Sequence, residues 1–404
     1  MVIARKVSGV ELSIWTAAFA VLVSLCVSYY PIEDTELKLN ILIVLSITLS
    51  YTVFVNITDV LYNKRFLFLI LMSVIFLISV YFHQIYNPPL TEYAETKLRN
   101  LVFSLLFFLL IVPSVFVKGD RDKFLLYAVL IFSLMFCVFS FFDSSTKENI
   151  RYSAIDLSPT MMAKITIIPC IFVLTFLRKG FFSKAILFAM FALASWATIR
   201  TGSRGPILCL IVAYVYFLYL KNGLKGFGKF AIYAPFMLLT FFVALYFMPE
   251  EIADRFLPDN LSIESNSDSG DRVFLWEIAL NGIRYSWSGY GLGNFSAITF
   301  LAAPHNVLLE MAYEVGVAIA LLYAVIIFSP FIGLSKAVAR NSQYTDFFVL
   351  LYLTNLILAL ISGEVTLTSA LLYISTGYLW GLGRGVSPRP ARRELPARYH
   401  HAGI

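Results

Sequence analysis

Phe124–Phe142 reads FLLYAVLIFSLMFCVFSFF, 19 residues without a charge, set between Arg121-Asp122-Lys123 and Asp143. At about 1.5 Å of helical rise per residue, such a run spans most of a bilayer's ~30 Å hydrocarbon core. The same texture repeats outward from it: Leu39–Thr58 and Phe66–Phe82 are also free of charge. Across 404 residues the chain is 59% hydrophobic and 14% charged, with a mean hydropathy of +0.79. Soluble domains carry about 25% charged residues, so a water-soluble globular enzyme is excluded. A transmembrane β-barrel would show alternating segments of about ten residues, half the length of these runs. The expected fold is an all-α polytopic membrane protein.

Dividing the apolar runs at charges, prolines and glycines gives about 12 spans, each near the roughly 20 residues that a bilayer requires. They are expected at 12–30, 39–58, 66–85, 100–117, 124–142, 161–177, 181–199, 206–220, 230–248, 306–330, 347–362 and 366–382. The last two are short enough to form a re-entrant pair. Arg5 and Lys6 precede the first span, and no small-residue cleavage site follows before Pro31–Lys38, which predicts a retained helix.

Charge placement gives the orientation, because cytoplasmic connections collect Lys and Arg. With a cytoplasmic N-terminus, the inner connections receive Arg5 and Lys6, Lys64 and Arg65, and Lys118, Arg121 and Lys123. Arg178, Lys179 and Lys184, then Lys221, Lys225 and Lys229, then Lys336 and Arg340 follow. With Arg384, Arg389, Arg392, Arg393 and Arg398 in the tail, the inner side holds 20 of the 31 basic residues. Both termini are therefore expected in the cytoplasm. The net charge of +6 is explained by this flanking pattern and needs no nucleic-acid partner. Cys26, Cys137, Cys170 and Cys209 lie in apolar runs without CxxC spacing, and the four histidines are dispersed. Neither a disulfide framework nor a metal site follows.

One membrane domain, 1–382, is expected, with a basic cytoplasmic tail at 383–404 available to anionic lipid. Two outer connections are long: Asp143–Thr160, and Pro249–Pro304 in the loop 249–304. Loops of that length in a compact protein are usually functional or disordered. Pro258–Ser269 is polar and turn-like. In Asp271–Trp287, apolar Val273, Phe274, Trp276, Ile278, Ala279, Leu280 and Ile283 leave a polar face with Arg272 and Glu277, predicting a short interfacial helix.

Chemistry is expected where outer-side residues break the inexpensive pattern. Arg200 and Arg204 sit in a tight outer turn, Ile199-Arg200-Thr201-Gly202-Ser203-Arg204-Gly205-Pro206. Ser203 can cap the helix that follows, whose first turn contains Pro206. Guanidinium groups beside a helix N-terminus form a phosphate-binding corner, although contact with lipid headgroups explains them equally. Arg272 opens the interfacial helix, where an arginine is ordinary on a wet face. His305 immediately precedes an apolar span and reads either as a helix cap or as a proton acceptor with a near-neutral pKa. Glu310 and Glu314, spaced i, i+4, share one helix face; either can orient or balance that histidine, and both read equally as ordinary helix-end acids. Gly289–Phe295 (GYGLGNF) completes no nucleotide-binding fingerprint and is expected to shape a tight turn.

Taken together, these residues resemble the O-antigen ligase and Wzy-type O-antigen polymerase superfamily of bacterial inner membranes. The resemblance is carried by Thr201-Gly202-Ser203-Arg204-Gly205, by Arg272–Phe274 leading into Trp276–Ala279, and by Gly289–Phe295. Pro304-His305-Asn306, Leu308–Glu310 and Glu314–Gly316 complete it, within about 195–330. It implies a GT-C-like, metal-independent glycosyltransferase without cofactors. The donor it implies is a glycan on undecaprenyl diphosphate, and the acceptor is either lipid A–core or another lipid-linked saccharide. Arg204 and Arg272 are implied as diphosphate clamps and His305 as the residue at the reacting bond. Arg200, Ser203, Asn306, Glu310 and Glu314 are the further substrate-binding candidates.

Ligase and polymerase share donor and clamp and differ in acceptor. A glycolipid flippase or solute transporter also accommodates twelve spans. Transporters, however, place ionisable residues near the bilayer midplane, whereas the suspected site here lies outside it.

Overall fold

The computed structural model describes residues 14, 17–23, 25, 64–88, 90, 97–98, 100–102, 105, 112, 116, 121–142, 159–176, 181–248, 250–253, 256, 267–299, 303–362 and 370–382. The expected span at 39–58 and the tail at 383–404 lie outside the described residues. The expected spans at 12–30 and 100–117 are described only in part.

Every regular element among the described residues is helical. In chain order they are α1 (Lys64–Tyr86), α2 (Asp122–Phe142), α3 (Pro159–Thr166), α4 (Ile168–Phe176), α5 (Phe181–Arg200), α6 (Arg204–Asn222) and α7 (Lys225–Tyr246). There follow α8 (Glu250–Ala253), α9 (Ser267–Tyr285), α10 (Asn294–Thr299), α11 (Val307–Val315) and α12 (Val317–Phe328). A 3₁₀ turn (Ser329–Gly333) then leads to α13 (Leu334–Val338), α14 (Gln343–Ser362) and α15 (Ala370–Gly381). Six stretches among the described residues are long and apolar enough to cross a membrane: Leu67–Tyr86, Asp122–Ser140, Pro159–Phe176, Arg204–Asn222, Val317–Val338 and Gln343–Ser362. The chain is a multi-pass membrane protein.

Two expected spans are interrupted, each for a physical reason. The span at 161–177 is divided between α3 and α4 because Pro169 has no N–H for the Ile165 carbonyl. Ser133 Oγ of α2 takes that carbonyl at 2.6 Å, and the Cys137 thiol reaches the Thr166 carbonyl at 3.7 Å. Neighbouring helices thus satisfy the polar groups that proline frees, as a membrane interior demands. The span at 306–330 is divided into α11 and α12 at Gly316. As for the suggested re-entrant pair, α14 has 20 residues, enough to cross on its own, whereas α15 has 12.

Polar contacts sort the helix ends into two sets. At one end, Thr160 Oγ1 lies 3.4 Å from Ser203 Oγ, Lys164 Nζ donates to Ser362 O at 2.7 Å, and Asn294 Nδ2 donates to Pro88 O at 3.2 Å. At the other end, Lys221 pairs with Asp346, Arg340 donates to Leu382 O, and Tyr378 donates to Asp122 Oδ2 at 3.3 Å. Alternation of the spans produces this sorting. Buried tyrosines between the ends keep their hydroxyls bonded: Tyr323 to Tyr373 at 2.9 Å, and Tyr352 to Ile327 O at 2.7 Å.

The described part of the long loop is mostly helical. α9 begins at Ser267, four residues before the expected start at Asp271, and α8 and α10 flank it. Its apolar residues do not form the single expected stripe. Leu275 and Ala279 are buried, whereas Val273, Phe274 and Leu280 are exposed. One face packs on protein and the other offers apolar surface to its surroundings.

The glycines of GYGLGNF have the expected role, in a specific form. Tyr290 N–H donates to Tyr313 O at 3.0 Å, Gly291 N–H to Glu314 O at 2.7 Å, and Val317 N–H to Trp287 O at 3.0 Å. This backbone zipper closes the α11–α12 break against the turn at 287–291. It requires φ of +86° at Gly289 and +91° at Gly316, and a Cβ on Gly316 would sit 2.6 Å from Ser288 O. Gly316→Ala should therefore cost at least ~1–3 kcal/mol, read as a fall in thermal unfolding temperature in detergent. Gly228→Ala is the matched control, since a Cβ at this helical glycine meets nothing within 4 Å. It should be neutral or stabilise by up to about 1 kcal/mol; equal losses in both variants would refute the zipper.

Candidate functional site

The site is built where α5 hands over to α6. Thr201 N–H and Gly202 N–H close the end of α5 onto Thr198 O and Ile199 O at 3.3 and 2.8 Å. Gly202 turns the chain with φ +65°. Thr201, fully buried, donates its hydroxyl to Thr198 O at 2.7 Å and accepts Ser203 N–H at 3.2 Å. Ser203 occupies the N-cap of α6, but its hydroxyl makes no capping bond; it faces Thr160 instead. Arg204 is consequently the first residue of α6, where the helix N–H groups lack intrahelical acceptors and the helix dipole is positive. Arg200 stands on the preceding turn with its guanidinium 5.2 Å from the Trp196 ring centroid, a cation–π anchor.

Arg204 borders a cavity of about 460 Å³ between α4, α5, α6 and α7. Its walls are apolar, including Cys170, Phe191, Ile199, Phe230 and Phe241. Among the described lining residues, Arg204 alone is charged. The cavity reaches Leu208 and Leu238, both exposed on the surface of the helix stack. A long apolar chain can enter sideways from lipid with its anionic end at Arg204.

Arg272 arrives on α9, and its half-buried side chain acts electrostatically on the Cys209 thiol in the second turn of α6. Lys164 of α3 acts on the same thiol. The two arginines singled out by sequence thus lie toward the same end of α6, with buried Lys164 nearby.

His305 is brought to the same region through α9. Trp276, one turn after Arg272 on the same helix face, donates Nε1–H to Pro304 O at 2.8 Å. Small residues let α9 come close to α11: a Cβ on Gly282 would lie 2.2 Å from the Tyr313 ring. Ala279, Phe295 and Tyr313 form a buried cluster beside it, and Tyr290 stacks on Tyr313 at 4.7 Å. His305 itself adopts φ +54°, a left-handed conformation unusual for a residue with a Cβ.

The cap reading of His305 is corrected by its neighbour. Asn306 holds the N-cap of α11, accepting Leu308 N–H at 3.0 Å and Leu309 N–H at 3.2 Å through Oδ1. Glu310 and Glu314 do share one face of α11, but both carboxylates are directed at Lys97. The ammonium pairs with Glu310 and lies 2.9 and 2.8 Å from the two oxygens of Glu314. All three side chains are closed to solvent.

Three residues in this picture carry no role in the sequence reading. Lys164 left a signal, a lone cation in the apolar run 161–177, where a charge is expensive. Lys97 left none, because in Thr91–Asn100 it is one charge among several, with Glu92, Glu95 and Arg99. Trp276 stands in the quoted motif, but a tryptophan donor names no acceptor until the chain is folded.

Residues 188–324, about a third of the chain, match the family model described as O-antigen ligase. The matched segment contains Arg200, Ser203, Arg204, Arg272, His305, Asn306, Glu310 and Glu314. No curated protein matches the chain.

Stability measurements separate the two residues at the start of α11. Asn306→Ala should cost about 1 kcal/mol by loss of the cap. His305→Gly should cost less than that, because glycine adopts a left-handed backbone freely and the cap on Asn306 is untouched. A loss of about 1 kcal/mol in the glycine variant with none in Asn306→Ala would return the capping role to the histidine.

Proposed function

We propose, from an O-antigen-ligase-type segment at 188–324, that this chain is a glycosyltransferase of the inner membrane. It transfers a glycan from undecaprenyl diphosphate to an acceptor hydroxyl of lipid A–core. The observation that carries the reading is Arg204 heading an apolar cavity that opens toward lipid, with Arg272 and His305 gathered at the same end of the helix stack. In this reading the chain is GT-C-like, with about 12 spans in a single membrane domain over 1–382. Both termini are cytoplasmic, and the site and the loop 249–304 face the periplasm.

The chemistry follows from charge. The polyprenyl tail occupies the cavity, and the diphosphate meets Arg204 and Arg272. The acceptor oxygen attacks the anomeric carbon as its bond to the diphosphate oxygen breaks, so negative charge grows on the leaving group. Guanidinium groups in a partly desolvated pocket stabilise that charge more in the transition state than in the ground state. His305 takes the hydroxyl proton as the new glycosidic bond forms on the opposite face, which inverts the centre. Free undecaprenyl diphosphate leaves with the electron pair. No step needs a metal. Arg200 and Ser203 support the clamp from the turn, and Asn306 fixes the helix that follows His305. A polymerase joining two lipid-linked repeats would use the same donor half and differ only in acceptor.

The assay is transfer from a polyprenyl-diphosphate-linked saccharide in EDTA, with lipid A–core and a second lipid-linked saccharide as alternative acceptors. Arg204→Ala and Arg272→Ala should abolish transfer at normal abundance, and lysine replacements should recover it poorly, lacking the guanidinium fork. His305→Ala should lower the rate by about 10²–10⁴-fold. Activity in both arginine variants would leave headgroup contact as their role, and strict metal dependence would overturn the mechanism. Turnover of the second acceptor but not the first would make the protein a polymerase.

Topology is tested separately. Reporter fusions near Asn266 should read periplasmic, and those after Lys229 and in the tail cytoplasmic. A cytoplasmic Asn266 would remove the site from its donor.

A further inference from the structure

Three charges are buried together behind His305. Lys97, Glu310 and Glu314 are each at most 2% exposed, and the lysine is more than 200 residues away in sequence from either glutamate. A charge withdrawn from water is tolerated only with good geometry and multiple partners. Here the ammonium bridges two carboxylates one turn apart on α11, a helix of only 9 residues. A helix that short has little stability of its own, so its position is set by what grips it.

Three grips are visible. Lys97 holds one face through the two glutamates. The backbone zipper from Tyr290 and Gly291 holds Tyr313 O and Glu314 O. Trp276 fixes Pro304 O just ahead of the helix. His305 lies between the Trp276 anchor and the Asn306 cap, in a left-handed backbone that these contacts maintain.

We infer that Lys97 is a positioning residue for the transfer reaction. By bridging Glu310 and Glu314 it sets the placement of α11, and thereby aims the His305 imidazole at the acceptor hydroxyl. The inference rests on the proton-accepting role proposed for His305. It assigns the two glutamates to Lys97 rather than to substrate.

The test uses the full chain in nanodiscs with the same saccharide donor, and compares Lys97→Met, Lys97→Arg and the triple variant Lys97→Met/Glu310→Gln/Glu314→Gln. Breaking a buried ion cluster by removing one partner is far more damaging than neutralising the whole of it. A misplacement of about 1 Å can cost about 10²-fold in rate. Lys97→Met should therefore lower kcat about 10²-fold with donor KM within about twofold, because Arg204 and Arg272 are untouched. Lys97→Arg should recover part of the rate, and the triple variant should return to within about tenfold of wild type. Wild-type kcat in Lys97→Met would overturn the inference, as would a rise in donor KM, which would make Lys97 a donor ligand. A triple variant as inactive as Lys97→Met would also overturn it, because a glutamate would then act on substrate directly. If Lys97→Met does not fold, the triple variant decides alone by the same criterion. Arg204→Ala and His305→Ala are run alongside: activity in those would sink the proposed chemistry itself, a different failure from an active Lys97→Met.

Discussion

A helix that breaks leaves backbone carbonyls and N–H groups without intrahelical partners, and the α11–α12 break is organised by that constraint. Gly316 interrupts the run from α11 into α12, leaving carbonyls and N–H groups that a continuous helix would satisfy itself. The turn at 287–291 supplies the missing partners from its own backbone: Tyr290 and Gly291 donate to Tyr313 O and Glu314 O, and Val317 donates to Trp287 O. Side chains cannot intervene at that separation. That is why Gly289 and Gly316 face each other, with a Cβ on Gly289 only 2.5 Å from Gly316 N. Once the zipper closes, the turn at 287–291 holds α11 through its backbone, and the placement of His305 just ahead of that helix follows from it.

The membrane fold is legible in the sequence because it follows from a one-dimensional quantity. Apolar length is a property of each segment alone, so α1, α2, α5, α6, α7 and α14 fall where the runs predict. The α3–α4 break is half legible. Pro169 announces it, but the rescue of Ile165 O by Ser133 depends on how α2 packs. The candidate site divides along the same line. Arg204 stands out in the sequence as a cation in a tight turn where the expected topology disfavours one, whereas Arg272 is ordinary on a wet helix face and is picked out only by the resemblance. The bonds that arrange them — Trp276 to Pro304, Lys97 to Glu310 and Glu314, Thr160 to Ser203 — link segments 28 to 217 residues apart. No local pattern encodes such a pairing. The Ser203 cap failed for a related reason: its hydroxyl has a choice of partners, and the folded chain offers Thr160.

Unfavourable features concentrate at one end of the helix stack. A left-handed histidine, a buried charge triad, two glycines in near contact and a broken span all lie between 287 and 317 or touch that segment. Each is costly alone, and stability by itself would replace them with a continuous α11–α12 helix and an apolar core. Elsewhere among the described residues the costly features are fewer: the α3–α4 break and buried Lys164 are each satisfied by a neighbouring helix, tyrosine hydroxyls are bonded, and the ion pair Lys221–Asp346 sits at the opposite end. Consistency across levels is what makes a sequence fold, and departures from it mark sites held for another purpose.

The cavity beside Arg204 extends that argument to the donor. A guanidinium is most effective toward an anion where water is scarce, since the interaction grows as the effective dielectric falls. The same scarcity makes an isolated buried cation costly. Placing Arg204 as the first residue of α6 reconciles the two demands. The side chain keeps a half-exposed position at the helix mouth, while apolar walls of α4, α5 and α7 exclude water on the inward side. A ligand that brings its own apolar tail completes the exclusion only when it is bound, so the strongest electrostatics arise in the occupied state alone. A soluble sugar phosphate has no tail to fill the cavity and would leave Arg204 hydrated. In the proposed transfer reaction, selection for a lipid-linked donor would therefore reside in the cavity walls, not in the arginine.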